Sequence, residues 1–409
     1  MGESLRVLIV NGVANFDHVR TFTFEVAYEL SRLGCQTTLL DAARPVAPEL
    51  VENTLASSRP DFLFSFNAFG FHLSLPGGRP LASRTLPWLT FLVDDPTFHL
   101  PWGPFLRQPG VVSIVGDPQS LISARRIGIP ERACHLVYAG GHLAPWVEDS
   151  ERCHDILFIG SVEDPRAIRQ SWDRAFPPGV VRLMELLSEA WSKDVSVPAQ
   201  THLDELLRGF GLTFSEAERW HVEALVLGNV IRYVKNAERV ATLRALSDLP
   251  ISVFGSGFRE LFPDANFRFF PGVSFPRSQE ELCRAKIGLN VQSLAVHAAG
   301  ERALGALLNG ALLVSSESRY LASELEPGRD YFPFDTQPAS LEAARATIRH
   351  YLAHPDERRA LVRRVRDEVA PRMTWAARTS EVLDIARAVL DEARKSRAAG
   401  GEHVQGSLQ

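Results

Sequence analysis

Short apolar runs alternate with longer amphipathic stretches along most of this chain. Residues 5–10 (LRVLIV) are apolar enough to predict a strand buried on both faces. Phe22, Val26, Leu30 and Leu33 then recur at helical spacing across 21–33, Gly34 stops the helix, and 35–40 (CQTTLL) predict a second strand. This βαβ start opens a Rossmann-like domain. The loop between strand and helix lacks G-x-G-x-x-G, so NAD or FAD binding is not expected. Runs at 62–66, 89–93, 111–115 and 135–138, with links such as the helical 118–127, extend an open parallel sheet.

The pattern restarts after a charged linker at 147–153. Residues 155–159 (DILFI) predict a strand, and 166–246 form a mostly helical stretch with a break at SVPAQ. That stretch exceeds an ordinary crossover and reads as an inserted helical subdomain. Strands at 251–254, 267–270, 287–291 and 312–314 follow, then helices at 341–352, 355–369 and 374–394. The expected fold is α/β with two Rossmann-like domains, 1–150 and 151–373. A crossover helix follows at 374–395, then a disordered Gly/Ser/Ala-rich and charged tail at 396–409.

Composition narrows the function classes. The net charge of −5 and the pI near 6.2 give bulk electrostatics no part in nucleic-acid binding. Cys35, Cys134, Cys153 and Cys283 are widely spaced with no C-x-x-C pair, which argues for reduced thiols over disulfides or a zinc site. No signal-peptide pattern and no membrane-length apolar run is present, so a cytoplasmic protein is expected.

Candidate chemistry sits at the carboxyl ends of the predicted strands, where open α/β sheets bind ligands. In the first half these are Asn15-Phe16-Asp17-His18, Asn67 and Asp94-Asp95-Pro96. In the second they are Gly160-Ser161, Gly255-Ser256-Gly257 and Ser315-Ser316. The stretch HAAGERALGALLNGALLVSS (297–316) reads as loop, helix, Asn309-Gly310 stop and apolar strand, with His297, Gly300, Glu301 and Arg302 at the helix start. A helix start exposes unpaired N–H groups and favours anions. Each feature also has a plain structural reading: an exposed helix start, a loop histidine bonded to Asp17, an Asx turn before Pro96, aromatic core packing in PDFLFSFNAFGFH.

Taken in order, the second half resembles the CgeB-like branch of the group 1 glycosyltransferases, which have the GT-B architecture. The matching pieces are DILFIGS, RVATLRALSDLPISVFGSGF, FFPGVSFPRSQEELCRAKIGLNVQS, GERALGALLNGALLVSSESRYLASELEPGRDYFPFD and LAHPDERRALVRRVRDEVAPRMTWAAR. They span roughly 155–378, apart from the helical insertion. The resemblance implies a metal-independent glycosyltransferase without a cofactor. Its substrate would be a nucleotide sugar, with UDP- or dTDP-sugars favoured. Arg302 and the helix start would hold the diphosphate and Glu301 hydroxyl groups. Gly160, Ser161, Gly255, Ser256, His297, Gly300, Ser315 and Ser316 would complete the donor site. Retaining members carry two glutamates eight positions apart; here those positions are His297 and Gly305. A histidine at the first position is found in inverting enzymes. Their pattern would make His18 the base, oriented by Asp94 or Asp95, or make Asp94 itself the base. The acceptor is undefined: protein, glycan or small molecule. A GT-B sugar-nucleotide epimerase and a non-catalytic sugar-nucleotide-binding or coat-assembly protein are the alternatives.

Overall fold

The computed structural model describes residues 4–12, 17–292 and 296–405. The chain forms two units, Met1–Gly140 with Trp375–Gln409, and Gly141–Thr374.

In the first unit, β1 (Arg6–Asn11), α1 (His18–Arg32), β2 (Gln36–Asp41), α2 (Pro48–Ser58) and β3 (Phe62–Phe66) come first. A small hairpin of β4 (Ser74–Leu75) and β5 (Arg79–Pro80) leads to β6 (Trp88–Leu92), α3 (Gly103–Leu106), β7 (Val111–Val115), α4 (Pro118–Arg126) and β8 (Cys134–Leu136). All strands but the hairpin form a parallel sheet in the order β2-β1-β3-β6-β7-β8. The apolar runs became strands because β3, β6 and β7 are buried at every position. Helix α2 was not expected, since it buries only Val51 and Leu55 and so shows no apolar period.

The second unit begins with β9 (His154–Ile159). The insertion is four helices: α5 (Pro165–Ala175), α6 (Pro178–Lys193), α7 (Ala199–Gly209) and α8 (Glu216–Ala245). Then come β10 (Ile251–Phe254), β11 (Phe267–Phe270), α9 (Phe275–Cys283), β12 (Ala285–Asn290), α10 (Glu301–Leu308), β13 (Leu312–Ser316), α11 (Arg319–Glu324), β14 (Phe332–Phe334), α12 (Pro338–Ala353) and α13 (Pro355–Met373). The sheet is again parallel, ordered β11-β10-β9-β12-β13-β14. Its strand order reverses beside β9, the place where such sheets bind ligands.

Helix α8 has two jobs. Its first part closes the insertion's own core, where Val226, Leu227, Val230 and Val234 meet Trp172, Met184, Leu187 and Leu203. Its last turns put Val240 and Leu243 into the core of the sheet. One continuous helix therefore joins insertion and sheet. A capping box at Ser215 and Glu218 starts it.

The boundary between units falls at Gly140/Gly141, ahead of the expected residue 150. The cause lies in the segment after it. The Trp146 ring is contacted by the guanidiniums of Arg152, Arg363 and Arg366 at 5.2, 5.3 and 5.1 Å. Asn309 Oδ1 accepts from Ala144 N at 2.9 Å. These contacts assign the segment to the second unit. The final helix, α14 (Trp375–Gln405), belongs to the first unit, starts one residue later than expected and runs on into the stretch expected to be disordered; residues 406–409 lie outside the described residues. Its Trp375 is 1% exposed and touches Phe22, Phe66 and Phe91 at ring distances of 5.0, 5.5 and 5.5 Å. The aromatic stretch around β3 is thus core. Trp375→Ala is expected to destabilise the first unit by about 3–5 kcal/mol in urea unfolding followed by fluorescence.

Among the described residues no helix is long and apolar enough to cross a membrane. The four cysteines are unpaired.

Candidate donor site at the carboxyl end of β9

Strand β9 ends at Ile159, and the next residues turn away from the sheet. Gly160 N still donates to Phe254 O at 2.9 Å, and Val162 N to Ser256 O at 3.0 Å, so the ends of β9 and β10 run backbone against backbone. A Cβ on Gly255 would lie 1.7 Å from Gly160 O, and one on Gly257 1.9 Å from Val162 O. Gly257 also has φ of +85°. The glycines expected to contact a ligand are therefore required first by this close approach.

One face of α8 pins the same loop. Arg232 pairs with the Glu163 carboxylate, and Asn236 Oδ1 accepts from Glu163 N at 2.8 Å. Arg239 Nη1 donates to Ser161 O at 2.7 Å. Positions 232, 236 and 239 follow the spacing of one helix face.

Arg302, from the first turn of α10, reaches the strand end from the other side. Its Nη1 donates to Ile159 O at 2.8 Å and lies 3.1 Å from where a Gly160 Cβ would be. The two guanidiniums thus meet around Gly160-Ser161 with backbone carbonyls as their hydrogen-bond acceptors. Arg239 is 6% exposed, and its pKa is pulled down to about 9, by burial first and then by the charge of Arg302, against Glu301 and Glu238. Glu301 stands 3.9 Å from Arg302 Nε, at the limit of an ion pair. The Nε atoms of both arginines are buried without a hydrogen-bond partner. Two cations held this way incur a desolvation cost that Glu301 and Glu238 offset only in part. A diphosphate would offset it, since guanidinium forks match phosphate oxygens.

The other expected donor residues fall in different places. Gly300 caps α10, but its N–H already donates to Gln292 Oε1 at 2.6 Å and is not free for phosphate. Gln292 Nε2 donates to Ala298 O at 3.0 Å, so this side chain shapes the loop before α10. His297 Nε2 lies 3.0 Å from Ser196 O, which can only accept, so Nε2 carries the proton and ties the loop to the insertion. Ser315 is buried and its Oγ accepts from Asn290 Nδ2 at 2.9 Å, while Ser316 Oγ accepts from Gln292 N at 2.9 Å. Both serines brace neighbouring strand ends. Gly305 faces α9: a Cβ there would lie 2.4 Å from Gln279 Oε1 and 2.8 Å from Leu282 Cδ1. There is no room for a glutamate at this position.

In the first unit, Asn15 and Phe16 lie outside the described residues. His18 opens α1, half-buried and edge-on to Phe22 at 5.9 Å. Asp17, Asn67 and Ala68 have φ of 59°, 46° and 56°, left-handed values for non-glycine residues at the ends of β1 and β3. Asn67 Nδ2 donates to Asp94 Oδ2 at 3.3 Å, so two of the expected polar strand ends do meet. Asp95 accepts from Thr97 N and Oγ1 at 2.9 and 2.6 Å and from Ser123 Oγ at 2.7 Å. That tethers the loop to α4 and occupies the carboxylate expected to orient His18. His99, which the sequence reading missed, is buried; burial lowers its pKa against the opposing charges of Asp94 and Asp95.

A further polar group lies at the amino ends of β9 and β10. His154 is bonded to Ser252 Oγ and Glu281 Oε2, both at 2.9 Å. It has the outline of a nucleophile triad, but Ser252 is fully buried and the group is structural.

Comparison with known proteins bears on the family and the fold. Residues 236–384 match the family described as glycosyl transferase-like, beginning on the face of α8 that carries Arg239. No curated protein matches the chain. The Anabaena HepE protein with UDP-glucose is similar at TM-score 0.51 and 9% identity, covering 94% of this chain and 100% of that one. An α-glucosyltransferase with UDP and DNA gives 0.55 and 11%, covering 94% and 100%. The T4 phage BGT with UDP-glucose gives 0.51 and 11%, covering 94% and 99%. Residues 236–384 are thus similar to a glycosyl transferase-like family, in a chain with the GT-B fold of these structures.

Proposed function

We propose that this glycosyltransferase moves a sugar from a UDP- or dTDP-sugar to an acceptor hydroxyl or other nucleophile, with the leaving diphosphate stabilised by Arg239 and Arg302. The observation that carries the reading is a buried Arg239 beside a half-buried Arg302, each with a buried Nε–H that has no partner, at the carboxyl end of β9. Preorganised cations in a water-poor site stabilise the charge that develops on the leaving group and remove the need for a metal in that role. UDP is favoured as carrier because the HepE protein, the α-glucosyltransferase and the T4 phage BGT were each captured with UDP or UDP-glucose. The second unit is the donor domain and the first the acceptor domain. His18 or Asp94 supplies the base, and His297 in place of a glutamate favours inversion. A CgeB-like affiliation accords with the ordered second-half motifs.

The test is incubation with UDP-, dTDP- and GDP-sugars, with and without sugar and peptide acceptors, read by mass spectrometry. Glycosylated product supports the reading. An epimerised nucleotide formed without acceptor would replace it with an epimerase, and absence of any nucleotide binding with a non-catalytic role.

A further inference from the structure

The turn between α12 and α13 gathers three side chains that glycosyl transfer does not use. His350 is in the last turn of α12, His354 in the turn, and Glu357 in the first turn of α13. Their ligand atoms all lie within 4.8 Å of one another, and all three residues are exposed. Helix α12 follows β14 and runs back along a parallel sheet. Its end therefore lies toward the amino ends of the strands, away from the arginine pair.

The two imidazoles are already arranged. His354 Nδ1 is 2.8 Å from His350 O. A carbonyl only accepts, so Nδ1 carries a proton, and in the neutral ring Nε2 keeps its lone pair. A backbone carbonyl holding the second ring nitrogen is the usual support of a metal-bound histidine. The His350 and His354 rings stack at 4.2 Å and 24°, and Tyr351 meets the His350 ring edge-on at 5.0 Å. His350 Nε2 lies 3.0 Å from Glu357 Oε2. A cation entering here would displace the shared proton to solvent and bond both atoms.

We propose that His350, His354 and Glu357 bind a divalent transition-metal ion of the zinc class, clamping the end of α12 to the start of α13. Two imidazoles and one carboxylate suit zinc, whereas magnesium and calcium prefer all-oxygen sets. Ligands of a tetrahedral zinc stand about 3.3 Å apart for bonds of about 2.0–2.1 Å, which small side-chain rotations supply. Solvent completes the shell.

The full-length protein, stripped with EDTA, is titrated with ZnCl2 by calorimetry and with CoCl2 by visible absorption. The expected result is saturable binding of one ion per chain, with the visible bands of cobalt in a tetrahedral site, unaffected by millimolar magnesium. Affinity falls at least about tenfold in Glu357→Gln and further in the His350→Ala/His354→Ala double variant. Circular dichroism confirms that these surface variants remain folded. Absence of saturable binding, or equal binding by the double variant, overturns the site.

Discussion

Arg302→Ala is expected to lower kcat/KM for the sugar donor by about 10²–10³-fold, the usual cost of removing one preorganised charge donor at the reacting centre. Arg239→Met should produce a loss of the same order with an opposite effect on stability. Arg239 is nearly fully buried, its only described hydrogen bond goes to Ser161 O, and its neighbour is another cation. Removing such a charge while keeping the side-chain volume relieves desolvation and repulsion, so the unfolding free energy should rise by about 1–2 kcal/mol. A variant that is more stable and catalytically poor is the signature of a site strained for function. A purely structural Arg239 predicts the reverse: a less stable protein with donor affinity unchanged.

The second large effect is on folding. Arg358→Ala should cost about 3–5 kcal/mol. The side chain is 2% exposed, with Nη2 donating to both carboxylate oxygens of Asp149 at 2.8 and 2.9 Å and Nη1 to Tyr351 O at 2.9 Å. Its loss leaves the Asp149 carboxylate with only the longer Arg359 contact at 3.4 Å and loosens the segment that leads into β9. Burial alone would raise the pKa of Asp149, but the hydrogen bonds and charges of Arg358 and Arg359 outweigh it and hold the group below its ordinary value. A depressed carboxylate pKa gives stability that is present above the unfolded value near 3.8 and lost as pH falls through the lower folded value. The gap between the urea midpoints of wild type and Arg358→Ala should therefore narrow as pH falls below the unfolded value near 3.8.

Much of the fold could be read from the chain because parallel strands buried on both faces are continuous apolar runs. Phe62–Phe66, Val111–Val115 and Ile251–Phe254 were located to the residue. The Asn309-Gly310 stop was legible because Gly310 needs its φ of +74°. Strand β14 was missed: Phe332–Phe334 is three residues with proline in the middle, a poor strand signal on an edge position.

The site was only half legible. Arg302 stood out because a charged residue at the start of an apolar helix needs a reason. Arg239 did not, since an arginine in a 30-residue amphipathic helix looks like any solvated position. Its role appears only when Arg232, Asn236 and Arg239 are seen on one helix face over the 160–163 loop. Gly300, Ser315 and Asp95 show the opposite error. Their types and positions suit ligand binding, but Gln292, Asn290 and the Thr97–Ser123 cluster already occupy their polar atoms.

The arginine pair is proposed to bind a diphosphate. Calorimetric titration of wild type, Arg239→Met and Arg302→Ala with UDP and with uridine tests it most directly. UDP should bind wild type far more tightly than uridine does, and either substitution should remove most of that difference while leaving uridine binding unchanged. Equal affinity of wild type for UDP and uridine, or a UDP preference that survives both substitutions, would contradict the account.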